Sequence, residues 1–193
     1  SLTNPTKLAD TFNSHGIKTN KNTIAAYIDY LKDAFIISMA KRYDIKGKKY
    51  IGSPYKFYFT DVGLRNARLN FRQQEQTHIL ENIIYNELLV RGFNVDVGVV
   101  EYRKRDGNGK IVETRAEVDF VCNKGSRRYY IQSAFAIPDK EKMEQEQASF
   151  DRIDDSFKKI IVLQQHTKPW RNEKGYLMIN VIDFLLNPDS LEL

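Results

Sequence analysis

Apolar positions recur at helical spacing at the start of the chain and then change to strand-like runs. Leu8, Ala9 and Phe12 share a face of a helix predicted over residues 4–13, with Asn4 as N-cap and Pro5 at the first helical position. Ser14-His15-Gly16 ends it, with Gly available for a left-handed turn. A second helix begins near Asn20 or Asn22 and carries Ile24, Tyr27, Ile28 and Leu31 at helical spacing. The period then changes. Phe35 to Ala40 is an apolar, strand-like run, followed by a polar stretch from Lys41 to Lys49, then Tyr50-Ile51, and then Phe57-Tyr58-Phe59 after Ser53-Pro54. Helix, turn, helix and basic hairpin outline a winged-helix-like part. Thr60-Asp61 caps a short helix from Val62 to about Leu69, and residues 71–76 read as a connector.

The second part opens with a helix from His78 to Arg91, its apolar stripe formed by Ile79, Ile83, Ile84, Leu88 and Leu89 and its end marked by Gly92. Strands are expected over 93–103 and 113–122, joined by the turn signal Asp106-Gly107-Asn108-Gly109. A third strand spans 128–136, a polar helix 139–153, and two further strands 159–163 and 176–181, before a short helix over 182–186. The predicted domains are 1–74, winged-helix-like, and 75–193, with an αβββαβ core: an α/β fold with a mixed sheet.

Charge sharpens this division. Residues 1–75 hold 13 Lys and Arg against 6 Asp and Glu, whereas residues 76–193 hold 17 against 19. The basic first part is suited to a polyanion, and the second is not by net charge alone. No apolar run approaches the roughly 20 residues of a membrane-spanning helix, so no membrane association is expected. The start lacks signal-peptide features and an initiator Met, which suggests a piece of a longer protein and a cytoplasmic location. Cys122 is the single cysteine, so neither an internal disulfide nor a cysteine-rich zinc site can form.

Several chemistries are absent from the sequence. There is no P-loop, His15, His78 and His166 lack metal-site spacing, and Asp106-Gly107-Asn108-Gly109-Lys110 departs from a calcium loop at Lys110. Cys122 has no basic neighbour in sequence and reads as an inert, buried thiol. One constellation remains: Glu81 on the helix opening the second part, Asp119 in Glu117-Val118-Asp119-Phe120-Val121, and Gln132 in Tyr130-Ile131-Gln132. Period-two alternation puts Glu117, Asp119 and Val121 on one face and Val118 and Phe120 on the other. A carboxylate on an apolar strand is costly to bury unpaired. A magnesium ion held by Asp119 would account for it, as would a neighbouring Arg or solvent.

Helix–Glu, hairpin, Val-Asp-Phe strand and Ile-Gln strand together resemble the PD-(D/E)XK, or restriction-endonuclease-like, superfamily. More narrowly, the chain resembles the C-terminal domain of unknown function of a prokaryotic family of AAA+ ATPases. The matching segments are Asn22 to Ile28 with Leu31, Tyr55 to Asn66, Leu80 to Leu88, Glu117 to Val121 and Tyr130 to Gln132. The resemblance implies an N-terminal ATPase module in the same polypeptide, a winged-helix-like first part and a nuclease-like second part. It further implies Asp119 and Gln132 as the metal positions, Glu81 as the helical acid, and the catalytic lysine position at Ala134. Gln132 is a neutral ligand and Ala134 carries no charge, so the pattern is degenerate, unless Lys140 or Lys142 substitutes for the lysine.

The basic hairpin adds an expected DNA contact through Lys41, Arg42, Lys46, Lys48 and Lys49, with Lys21 and Asn22 at the start of the second helix. The leading expectation is a DNA-associated module of an AAA+ ATPase, with no enzymatic activity in this fragment and magnesium as the one candidate cofactor. The alternatives are an active Mg²⁺-dependent deoxyribonuclease and a protein-interaction platform that regulates the ATPase.

Overall fold

The computed structural model describes residues 2–72 and 75–193, and these form a mixed α/β structure of six α-helices and eight strands. The strands follow the hydrogen-bonded order β2 (Lys49–Phe59), β1 (Ile37–Asp44), β3 (Asn94–Arg105), β4 (Ile111–Lys124), β5 (Arg127–Ala134), β6 (Lys158–Leu163), β8 (Leu177–Asn180) and β7 (Trp170–Arg171). The chain divides into two compact units, Ser1–Arg42 with Ile51–Gln74, and Tyr43–Tyr50 with Glu75–Leu193. The hairpin tip, Tyr43–Tyr50, therefore belongs to the second unit, although its place in the sequence assigned it to the first. Among the described residues no helix is long and apolar enough to cross a membrane.

In the first unit, α1 (Pro5–Ser14) starts where Asn4 Oδ1 accepts from the Lys7 amide at 2.8 Å, and the chain reverses through Gly16 at φ +80°. The Asn20 side chain caps α2 (Lys21–Asp33) by accepting from the amides of Asn22 and Thr23. β1 (Ile37–Asp44) and β2 (Lys49–Phe59) form the hairpin, and α3 (Val62–Arg68) is capped by Asp61. β2 runs unbroken through Pro54, which its position at the end of the strand order permits, since proline cannot donate to a ladder.

The second unit begins with α4 (Gln76–Val90), which packs on β3 (Asn94–Arg105), β4 (Ile111–Lys124) and β5 (Arg127–Ala134). The three strands form an antiparallel meander. α5 (Lys140–Gln147) is capped by Asp139 and is shorter than the polar pattern suggests, because a 3-10 turn over Phe150–Arg152 replaces its expected last part. That turn drives Phe150 fully into the core. β6 (Lys158–Leu163) lies parallel to β5 on one side and to β8 (Leu177–Asn180) on the other. These buried strands read as continuous apolar runs, as parallel strands covered on both faces do. β7 (Trp170–Arg171) is a two-residue edge strand too short to show a period, and α6 (Val181–Leu186) follows β8.

One core cluster joins Ile45 of the hairpin tip with Val100, Val118, Val121, Tyr130 and Phe150. Ile45 is tied in further by its amide, which donates to the Val99 carbonyl at 3.0 Å. Gly98 lies beneath this cluster. A Cβ there would come within 2.8 Å of Val121 and 2.9 Å of both Ile45 and Val118. Gly98→Ala should therefore destabilise the protein by about 1–3 kcal/mol, read as a lower urea midpoint at unchanged slope.

Candidate functional site

The geometry around Asp119 is set by an irregularity in the β3–β4 ladder. Asp96 pairs with Val121 and Gly98 with Val118, so two steps along β3 match three along β4. The extra β4 residue leaves Asp119 and Phe120 opposite Val97, the arrangement of a β-bulge. The bulge breaks the strict alternation expected from the sequence. Val118 and Val121, expected on opposite faces, enter the same core cluster, while the Phe120 ring packs 6.1 Å from Tyr85 of α4.

Regular β4–β5 pairing ends at Phe120 and Ile131, and side chains bridge the strands beyond it. Asp119 is buried, with 8% of its surface exposed. Its Oδ2 accepts from the Ser133 amide at 2.9 Å and from Ser133 Oγ at 3.0 Å. Gln132 Oε1 accepts from the Asp119 amide at 3.3 Å. Along β5, Tyr130 and Ala134 belong to the core cluster, so Gln132 shares their face and Ser133 takes the other. Asp119 and Gln132 are thus neighbours, but the carboxylate meets Ser133 rather than opening beside Gln132.

Ala134 is 4% exposed and packs in the same cluster as Phe150 and Leu163. A lysine ammonium at this position would be desolvated, so the side chain here serves packing. Of the lysines considered as substitutes, Lys142 pairs with Glu146 at 2.5 Å, and Lys140 lines a separate cleft with Met143 and Gln147. Glu81 is half-buried on α4, next to buried Asn82. Among the described residues no group of three or more His, Cys, Asp or Glu is disposed to hold a metal ion. Asp119 Oδ2 and Gln132 Oε1 each accept a protein hydrogen bond, so a magnesium ion held here would meet a single anionic residue and one neutral amide oxygen.

A second buried acid escaped the sequence reading. Asp96, also 8% exposed, stands at the other side of the bulge and accepts from the Tyr50 hydroxyl at 3.1 Å. Burial and the Asp96 charge push the Tyr85 hydroxyl up to about 12. The same two causes push the Cys122 thiol well up, which keeps it protonated and unreactive. An acid within the run Val95-Asp96-Val97 carries the same signal that singled out Asp119.

The residues expected at a nucleic-acid interface fare unequally. Lys21 and Asn22 are exposed at the start of α2, and Lys41 is exposed on β1. Arg42 is only 8% exposed, because alternation along β1 turns it inward, so it does not present a guanidinium to a phosphate. Lys46, Lys48 and Lys49 are exposed around the turn that Asp44 organises by accepting from the Gly47 amide at 2.9 Å.

Residues 1–75 match a family model described as a domain of unknown function, DUF8612. An uncharacterized protein of Haemophilus influenzae is 34% identical over 185 residues, covering 96% of this chain and 42% of that protein. An uncharacterized protein of Methanocaldococcus jannaschii is 29% identical over 118 residues, covering 60% of this chain and 26% of its own length. The chain thus spans less than half the length of these curated relatives. No solved structure matches significantly.

If Ser133 secures the Asp119 carboxylate, Ser133→Ala should cost about 1.5–3 kcal/mol, the range for hydrogen bonds to charged groups. A double-mutant cycle with Asp119→Ala, followed by urea unfolding, should give a coupling of about 1 kcal/mol or more.

Proposed function

We propose that the chain is a DNA-associated module whose second unit is a nuclease-like scaffold without cleavage activity. The order α4-β3-β4-β5-α5-β6, with an antiparallel meander followed by a parallel β6, supports the αβββαβ reading. The observation that carries the loss of chemistry is the engagement of Asp119 by Ser133 beside a buried Ala134. Phosphodiester hydrolysis needs a held metal, an activated water and compensation for charge building on the phosphate. Here one oxygen of the acid is held by Ser133 and the lysine position is apolar. Loss of one preorganised charge-stabilising group lowers a rate by on the order of 10²–10³. Cooperation with an ATPase module of the same polypeptide is part of this proposal and rests on the sequence resemblance.

The chain should leave plasmid and linear DNA intact in Mg²⁺ and in Mn²⁺, beside an Asp119→Ala control. Cleavage that disappears in the control would establish the nuclease reading instead.

DNA association is supported by the exposed lysines of the hairpin turn, which can neutralise phosphates without reading sequence. Lys48→Glu with Lys49→Glu should weaken binding in a low-salt mobility-shift assay, whereas Asp119→Ala should not. Affinity should also fall steeply as salt rises. Absence of binding to single-stranded, double-stranded and branched DNA would favour an interaction platform.

A further inference from the structure

A cleft of about 740 Å³ opens in the second unit, lined by residues of α5 and by β7 with the segment that follows it. The volume lies in the range of small-ligand sites. One wall carries Trp170, the only tryptophan of the chain, with 42% of its surface exposed. Gln147, only 5% exposed, also lines the cleft.

A chain of hydrogen bonds fixes the orientation of that glutamine. Asn172 Oδ1 accepts from the amides of Lys174 at 3.0 Å and Tyr176 at 2.9 Å. Its Nδ2 consequently points away from them and donates to Gln147 Oε1 at 2.9 Å. Gln147 is left with its side-chain nitrogen as a donor that no described residue accepts. Lys174 is neutralised by Asp151 at 2.6 Å, whereas Lys140 at the cleft has no ion pair among the described residues. Glu144 and Glu173 also line the cleft and can accept from ligand hydroxyl or N–H groups.

We propose that this cleft binds a nucleotide, its base stacked on Trp170, an acceptor on the base edge met by Gln147, and its phosphate met by Lys140. An aromatic platform, a fixed amide donor and a lone ammonium correspond to the three parts of such a ligand. The nucleotide can be free or an unpaired residue of a nucleic-acid strand. The site involves neither Asp119 nor the hairpin lysines, so it holds or fails independently of the function proposed above.

Because Trp170 is the sole tryptophan, its fluorescence in the full chain reports on this cleft alone. Titration with AMP, GMP, CMP, UMP and a short oligothymidylate should give saturable quenching by at least one of them, and ribose 5-phosphate, lacking a base, should give none. By calorimetry, Trp170→Ala should weaken binding about 5- to 100-fold, the usual range for loss of base stacking. Lys140→Ala should weaken nucleotide binding while leaving the corresponding nucleoside unaffected. Both side chains are exposed, and an unchanged circular dichroism spectrum will verify folding of the variants. Tighter binding of the mononucleotide identifies a free ligand, and tighter binding of the oligonucleotide identifies a strand. The proposal is overturned by the absence of saturable quenching below about 1 mM, or by undiminished affinity in Trp170→Ala.

Discussion

The extra residue that β4 carries opposite Val97 governs the second unit more than any other local feature. A strand in strict alternation would separate Val118 from Val121, yet both converge on the same core cluster. Their convergence leaves no room for a Cβ at position 98. The glycine is therefore a packing consequence of the bulge and not a turn signal. The same irregularity sends Phe120 toward Tyr85 and brings the Asp119 carboxylate to Ser133. Core packing and acid placement thus meet at one irregularity.

Two carboxylates are buried near this point, and removing them from water is costly unless polar partners compensate. Asp119 obtains a backbone amide and a hydroxyl from Ser133, and Asp96 obtains the Tyr50 hydroxyl. Such bonding ties both acids to the strands around them. Burial, with the Asp96 charge added to it, discourages ionisation of both Tyr85 and Cys122.

Much of the architecture was legible in local chemistry. Asn4, Asn20, Asp61 and Asp139 announce helix starts, and each accepts the expected amide hydrogen bonds. The apolar runs Ile160–Leu163 of β6 and Leu177–Ile179 of β8 are likewise visible in sequence. The candidate site was legible in part. Asp119 stands out as an acid among valines, but its orientation depends on a bulge that assumed alternation conceals. Asp96 carries the same signal and went unnoticed. Ser133 had no signal of its own, because a serine between Gln132 and Ala134 gains meaning only once β4 and β5 part. Arg42 looked like part of a basic surface because charge counts ignore strand alternation, which buries it.

The hairpin tip has a practical meaning for anyone dissecting the molecule. Ile45 sits in the core cluster of the second unit, and its amide is fixed to Val99, while the strands leading to and from the tip run into the first unit. The polypeptide crosses from one unit to the other three times, so the natural seam is not a single point along the chain. A fragment beginning at residue 75 would lack a core side chain and its backbone anchor, exposing the valines around Gly98 to solvent. Excision of the second unit therefore requires the hairpin tip to be carried along, by fusion or by circular rearrangement of the chain.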